Sequence, residues 1–200
     1  MADVSIRTDG RDDGSASSPT DAVAIASPPV MVPVWDAQVR IFHWSLVGLF
    51  IVAYLSADRS DGLHLLAGYS IAGLLLLRVI SGFIGSPHVR FSDFVRSPGE
   101  VLAYIKLIRE GRSPRYLGHN PAGGAMVIAL LAMIGAICVT GHLMTTTAWW
   151  GSETMEDAHA LLVNLTLGLI GLHLLGNFAS SLLHHENLTM SMITGLKRRQ

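Results

Sequence analysis

Apolar residues in this chain do not alternate with polar ones; they gather in long runs. Four runs are long enough for a helix to cross a hydrocarbon core about 30 Å thick, at about 41–57, 64–84, 124–143 and 158–183, the first being the shortest. Residues 85–123, between the second and third runs, turn polar and basic. Within them, "SPGEVLAYIKLIREG" puts Ser97 at an N-cap, Pro98 at N1 and Glu100 at N3, which predicts a helix opened by a capping box. Val101, Leu102, Ile105 and Ile108 share one face of it, suited either to the membrane surface or to packing on the bundle. Residues 1–32 are rich in Asp, Ser, Ala and Pro. They lack the pattern of a secretory signal and predict a disordered tail. The expected organisation is that tail, a four-helix membrane domain over 33–196 and a basic end over 197–200. No internal repeat, catalytic triad or glycine-rich phosphate loop is present.

Composition supports a membrane protein: the 200 residues are 50% hydrophobic and 14% charged, and mean hydropathy is +0.44. A net charge of -1 argues against a nucleic-acid partner. The single cysteine, Cys138, falls inside the third run, so no internal disulfide and no CxxC site can form. Charge also orients the spans. Arg7, Arg11 and Arg40 precede the first, six Lys or Arg lie between the second and third, and Lys197, Arg198 and Arg199 close the chain, whereas the other two connections hold only Arg59. By the positive-inside rule both termini and the 85–123 loop are cytoplasmic, and Trp149 and Trp150 sit at the outer interface.

Histidines break the apolar runs. An imidazole in hydrocarbon is costly unless it pairs or binds something. In "HALLVNLTLGLIGLH", His173 follows His159 by fourteen positions. That spacing leaves the side chains within about 40° of one helix face but roughly 21 Å apart. They cannot share one metal ion. With depths assigned by orientation, His64 and His159 lie near the outer surface and His43 and His173 near the inner one. Each pair joins different helices, as a ligand held inside a bundle requires. Two axial imidazoles complete a haem iron, whereas zinc or copper would usually recruit further donors, and no carboxylate lies within the spans.

Gly68, Gly73, Gly168, Gly171 and Gly176 would let a flat macrocycle approach, although tight helix packing uses small residues equally. Arg78 follows His64 by fourteen residues, on nearly the same face. It could pair with the propionates of an inner haem or snorkel to lipid headgroups. His142, at the outer end of span three, is the rival ligand. His88, His119, His184 and His185 are expected to be titrating surface groups.

These residues resemble the bacterial cytochrome b561 and Ni/Fe-hydrogenase B-type cytochrome family, which is similar in turn to the membrane subunit of respiratory formate dehydrogenase. The resemblance covers roughly 33–196 and is carried by "VWDAQVRIFHW", "LHLLAGYSIAGLLLLRV", "YLGHNPAGGAM" and the His159–His173 segment. It implies an all-α membrane protein of the bacterial inner membrane. The implied fold is a four-transmembrane-helix bundle with two haems b stacked across the bilayer, His43 and His173 matching the inner ligands and His64 and His159 the outer ones. It implies electron transfer between a periplasmic donor, either cytochrome c or a dehydrogenase or hydrogenase subunit, and quinone. The 21 residues from His43 to His64 leave a shorter first span and outer loop than relatives have, which argues against a large docking surface there.

An electron-transfer subunit is thus the leading reading. A self-sufficient superoxide:quinone oxidoreductase would instead be active without a partner. A transition-metal transporter using the histidines as a relay is the alternative from another class, and the scarcity of carboxylates and cysteines within the spans argues against it.

Overall fold

A computed structural model describes residues 30–85 and 89–199; most of the expected tail, and His88, lie outside the described residues. The elements run β1 (Met31–Pro33), α1 (Ala37–Ser56), α2 (Asp61–Ile84), α3 (Phe91–Phe94), α4 (Pro98–Arg109), α5 (Pro121–Met144), α6 (Glu153–Leu183), α7 (Leu188–Thr194) and β2 (Leu196–Arg198). Helices α1, α2, α5 and α6 are each long and apolar enough to cross a membrane.

Local chemistry sets where the helices begin. Ser60 Oγ accepts from Leu63 N ahead of α2, and the Asn120 side chain accepts from Gly123 N ahead of Pro121 in α5. Ser97 and Glu100 make both bonds of the capping box of α4. Each satisfies a backbone donor that the first turn leaves open. Helix α4 turns Tyr104 into the protein and packs on α5, while Leu102, Ile105 and Ile108 stay uncovered.

Packing is uneven. Helix α1 lies on α2, α2 on α5 and α5 on α6, with no extended packing of α1 on α6. Ile71, Leu75 and Ile134 form the core with Phe42, Leu46, Phe50, Leu131 and Cys138 against them, all in the α1–α2–α5 seam. Helix α6 buries a single residue fully, Thr166, whose hydroxyl donates to Leu162 O at 2.8 Å. Its outer face of Leu161, Leu165, Leu172, Leu175 and Phe178 is exposed, as a lipid-facing helix requires.

Both described chain ends meet at one end of the bundle, the capped end; the α1–α2 and α5–α6 connections form the opposite, open end. At the capped end β1 and β2 pair antiparallel, Val32 opposite Lys197. The sequence reading left 31–32 in a tail and 197–198 in a basic terminus, because three-residue strands carry no legible period. Gly195 makes the pairing possible: it takes φ 82 after α7, and its carbonyl accepts from Val34 N and Trp35 N. Trp35 Nε1 donates to Ser191 Oγ and Trp44 Nε1 to Met192 O. Arg115 and Glu186 form an ion pair with side chains only 13% and 12% exposed.

Candidate haem-binding site

At the open end, α2 and α6 bring His64 and His159 together, ring centres 6.3 Å apart and planes at 72°. His64 Nδ1 lies 2.8 Å from Ala53 O. A carbonyl only accepts, so Nδ1 carries the proton and Nε2 keeps its lone pair. His159 Nδ1 lies 2.9 Å from Thr140 Oγ1, which is itself 3.0 Å from both Ala136 O and Ile137 O. Because the hydroxyl donates its one proton to a carbonyl, it accepts from His159, and Nε2 is again free. Each ring thus has its outer nitrogen held by an oxygen, the arrangement that orients an imidazole toward a metal. Two metal–nitrogen bonds of about 2 Å, plus about 1.1 Å from each nitrogen to its ring centre, require roughly 6 Å. The observed separation fits an iron between two imidazoles.

At the capped end, His43 on α1 and His173 on α6 are close enough for their charges to interact. His43 Nδ1 is buried with no hydrogen-bond partner among the described residues. Between the two pairs, α6 runs unbroken and separates His159 from His173 by roughly 21 Å. No group of three or more His, Cys, Asp or Glu able to hold a metal ion occurs among the described residues. That donor set suits two-coordinate axial ligation better than a zinc or copper relay.

Glycines around the pairs divide in two. A Cβ at Gly68, Gly73, Gly168, Gly171 or Gly176 would meet nothing within 4 Å, so tight helix packing does not explain them. By rotation, only Gly68, one turn after His64, and Gly176, one turn after His173, share a histidine face. The other three point away from both pairs, and the tight packing that small residues usually serve is not seen at any of the five.

One histidine departs from its expected surface position. His119, expected at the surface, is wedged between Trp35 and Phe94, ring centres 4.7 and 4.8 Å away. Burial pushes its pKa down to about 4, helped by the charges of Arg78, Lys197 and His173. The N-cap Asn120 and Pro121 start α5 immediately after His119 and hold it under the cap. His142 faces Tyr69, whose hydroxyl lies 3.1 Å from its Nδ1, and no ring contact joins it to the His64–His159 pair.

Arg78 is 6% exposed. It does not reach for lipid headgroups: Nη1 donates to Val89 O at 3.0 Å, and the guanidinium lies over Phe91 and Phe94 at 5.0 and 5.9 Å. Gly82 permits this cover, since a Cβ there would collide with the Phe91 ring. Gly141 plays a similar part at the open end, where a Cβ would come 3.2 Å from His159 Cε1. Sequence reasoning missed Thr140, Gly141 and Lys197. The sole available signal was a hydroxyl and a glycine side by side in an apolar span.

A model of the prokaryotic cytochrome b561 family matches residues 34–195. The chain is 23% identical to a probable Ni/Fe-hydrogenase B-type cytochrome subunit of Bradyrhizobium diazoefficiens, over 86% of this chain and 87% of that protein. It is also 23% identical to a protein of the same description from Rhizobium leguminosarum bv. viciae, over 82% and 87%. No solved structure matches.

Proposed function

Because the chain belongs to the prokaryotic cytochrome b561 family, as a membrane b-type cytochrome of electron transfer, we propose that its four span histidines hold two non-covalent b haems. His64 and His159 hold the one at the open end, His43 and His173 the one at the capped end. The observation that carries this reading is the open-end pair: two imidazoles 6.3 Å apart, each with Nδ1 held by an oxygen. Bound there, haem supplies a one-electron iron couple whose potential depends on its axial ligands, hydrogen bonds and burial. The chain fixes the rest. Ala53 O and Thr140 set the tautomers, α6 spaces the sites, and Arg78 provides a positive charge beside the capped-end haem.

The capped end is cytoplasmic by its Arg and Lys content, in a bacterial inner membrane. Electrons then pass between a periplasmic-side partner, a cytochrome c or an oxidoreductase subunit, and the quinone pool. The relatives' description as hydrogenase cytochrome subunits supports a partner enzyme over a stand-alone activity. A groove of about 450 Å³ between α1 and α2, walled by Ile41, Phe42, Leu74 and Leu77 with Gln38 and Arg78 as its polar lining, suits a quinone ring and its apolar tail.

Haem quantitation on alanine variants tests the assignment. His64→Ala and His159→Ala should lose the same haem, and His43→Ala and His173→Ala the other. Loss of a haem in His142→Ala together with full retention in His64→Ala would overturn it.

A further inference from the structure

Four segments far apart in the chain converge beneath the cap: Trp35 after β1, Arg78 in α2, His119 ahead of α5 and Lys197 in β2. Trp35, His119 and Phe94 stack in that order. At one end of the stack, Phe94 lies under the Arg78 guanidinium. At the other, Lys197 Nζ faces the Trp35 ring at 5.7 Å. Both cations are 6% exposed.

Neither cation has a carboxylate within ion-pair distance among the described residues. Among the described residues Arg78 has the Val89 carbonyl, and Lys197 has the Tyr116 carbonyl, 3.5 Å away at the limit of a hydrogen bond. Glu186, the acid whose charge Lys197 feels, is already held by Arg115. A buried charge without a counter-ion is costly, and here two cations with no carboxylate partner among the described residues flank one stack. His119 lies within electrostatic range of both cations and of His173, which puts the stack at the capped-end histidines rather than at a separate site. With its pKa near 4, His119 is neutral at pH 7 and adds no third charge.

We propose that Arg78 and Lys197 are the counter-ions of the two propionates of the capped-end haem, one at each end of the Trp35–His119–Phe94 stack. The proposal rests on the haem reading above and adds Lys197 to it. Two propionates carry two negative charges, which matches the two unpaired cations. The β1–β2 pairing then has a purpose: it would hold Lys197 where a propionate can pair with it.

Lys197→Gln in the full-length, haem-loaded protein tests this, with haem content and both midpoint potentials as readouts. Removing a fixed positive charge disfavours the electron-rich ferrous state. The expected result is a lowered midpoint, or loss, of the haem that His43→Ala also removes, with the other haem unchanged. Lys197→Arg should behave as wild type. A Lys197→Gln protein with both haems and two unchanged midpoints overturns the proposal and leaves the haem reading standing, as does a Lys197→Arg shift as large as that of Lys197→Gln. Wild-type protein without haem would overturn the haem reading itself. Should Lys197→Gln fail to fold, redox-difference infrared spectra of wild type loaded with propionate-labelled haem decide. Capped-end propionates that stay ionised through the mildly acidic range are expected; ones that protonate there overturn the proposal.

Discussion

Replacing Thr140 with Val keeps the shape of the side chain and removes only the hydroxyl that accepts from His159 Nδ1 at 2.9 Å. An uncompensated buried donor would cost about 1–3 kcal/mol. The carbonyl of Ile137 also lies within reach of the ring, and the substitution frees it from the Thr140 hydroxyl, so the lower end of that range applies. About 1.4 kcal/mol is tenfold, matching the small end of the 10- to 100-fold losses seen when an outer partner of a metal-bound imidazole is removed. A hydrogen bond from Nδ1 also makes the imidazole a stronger donor and favours ferric iron. If half to one kcal/mol of the bond differs between oxidation states, its loss raises the open-end midpoint by about 20–40 mV. Redox titration and haem retention during dilution of purified Thr140→Val would read both effects, with Thr140→Ser as the control that keeps the bond. An unchanged open-end midpoint with unchanged retention would refute the argument that Thr140 orients His159 for a metal.

Gly68→Leu fills space on the His64 face where a Cβ meets nothing within 4 Å; it should abolish the open-end haem spectrum while the protein still accumulates in membranes, and a normal spectrum would place that space elsewhere. His142→Ala should retain both haems, because its ring is engaged by Tyr69, as pyridine haemochrome assay would record. Arg115→Ala leaves Glu186 buried without its partner; thermal unfolding in detergent should show a loss of about 3–5 kcal/mol, and a change below 1 kcal/mol would mean that water reaches the pair.

The four spans are legible in the sequence because length and apolar content alone decide whether a helix can cross a bilayer. His64 and His159 could be paired from depth, since a long straight helix converts residue number directly into height. What supports them could not. Thr140 reaches His159 from a neighbouring helix, and Ala53 contributes a carbonyl, which every residue possesses. The cap is harder still. Its strands are three residues long, and Lys197 sits in a run of basic residues that reads as a solvated end. Its burial depends on pairing with a segment 165 positions away, Val32. His119 and Arg78 were misjudged or left open for the same reason: charge and hydropathy report what a side chain prefers, while the folded loop at 89–94 decides what covers it.

The most direct test is to purify the full chain and measure haem per polypeptide alongside a reduced-minus-oxidised spectrum. Two haems b per chain, each with the spectrum of iron held between two imidazoles, is the predicted result. One haem, none, or bound zinc in place of haem would contradict the account.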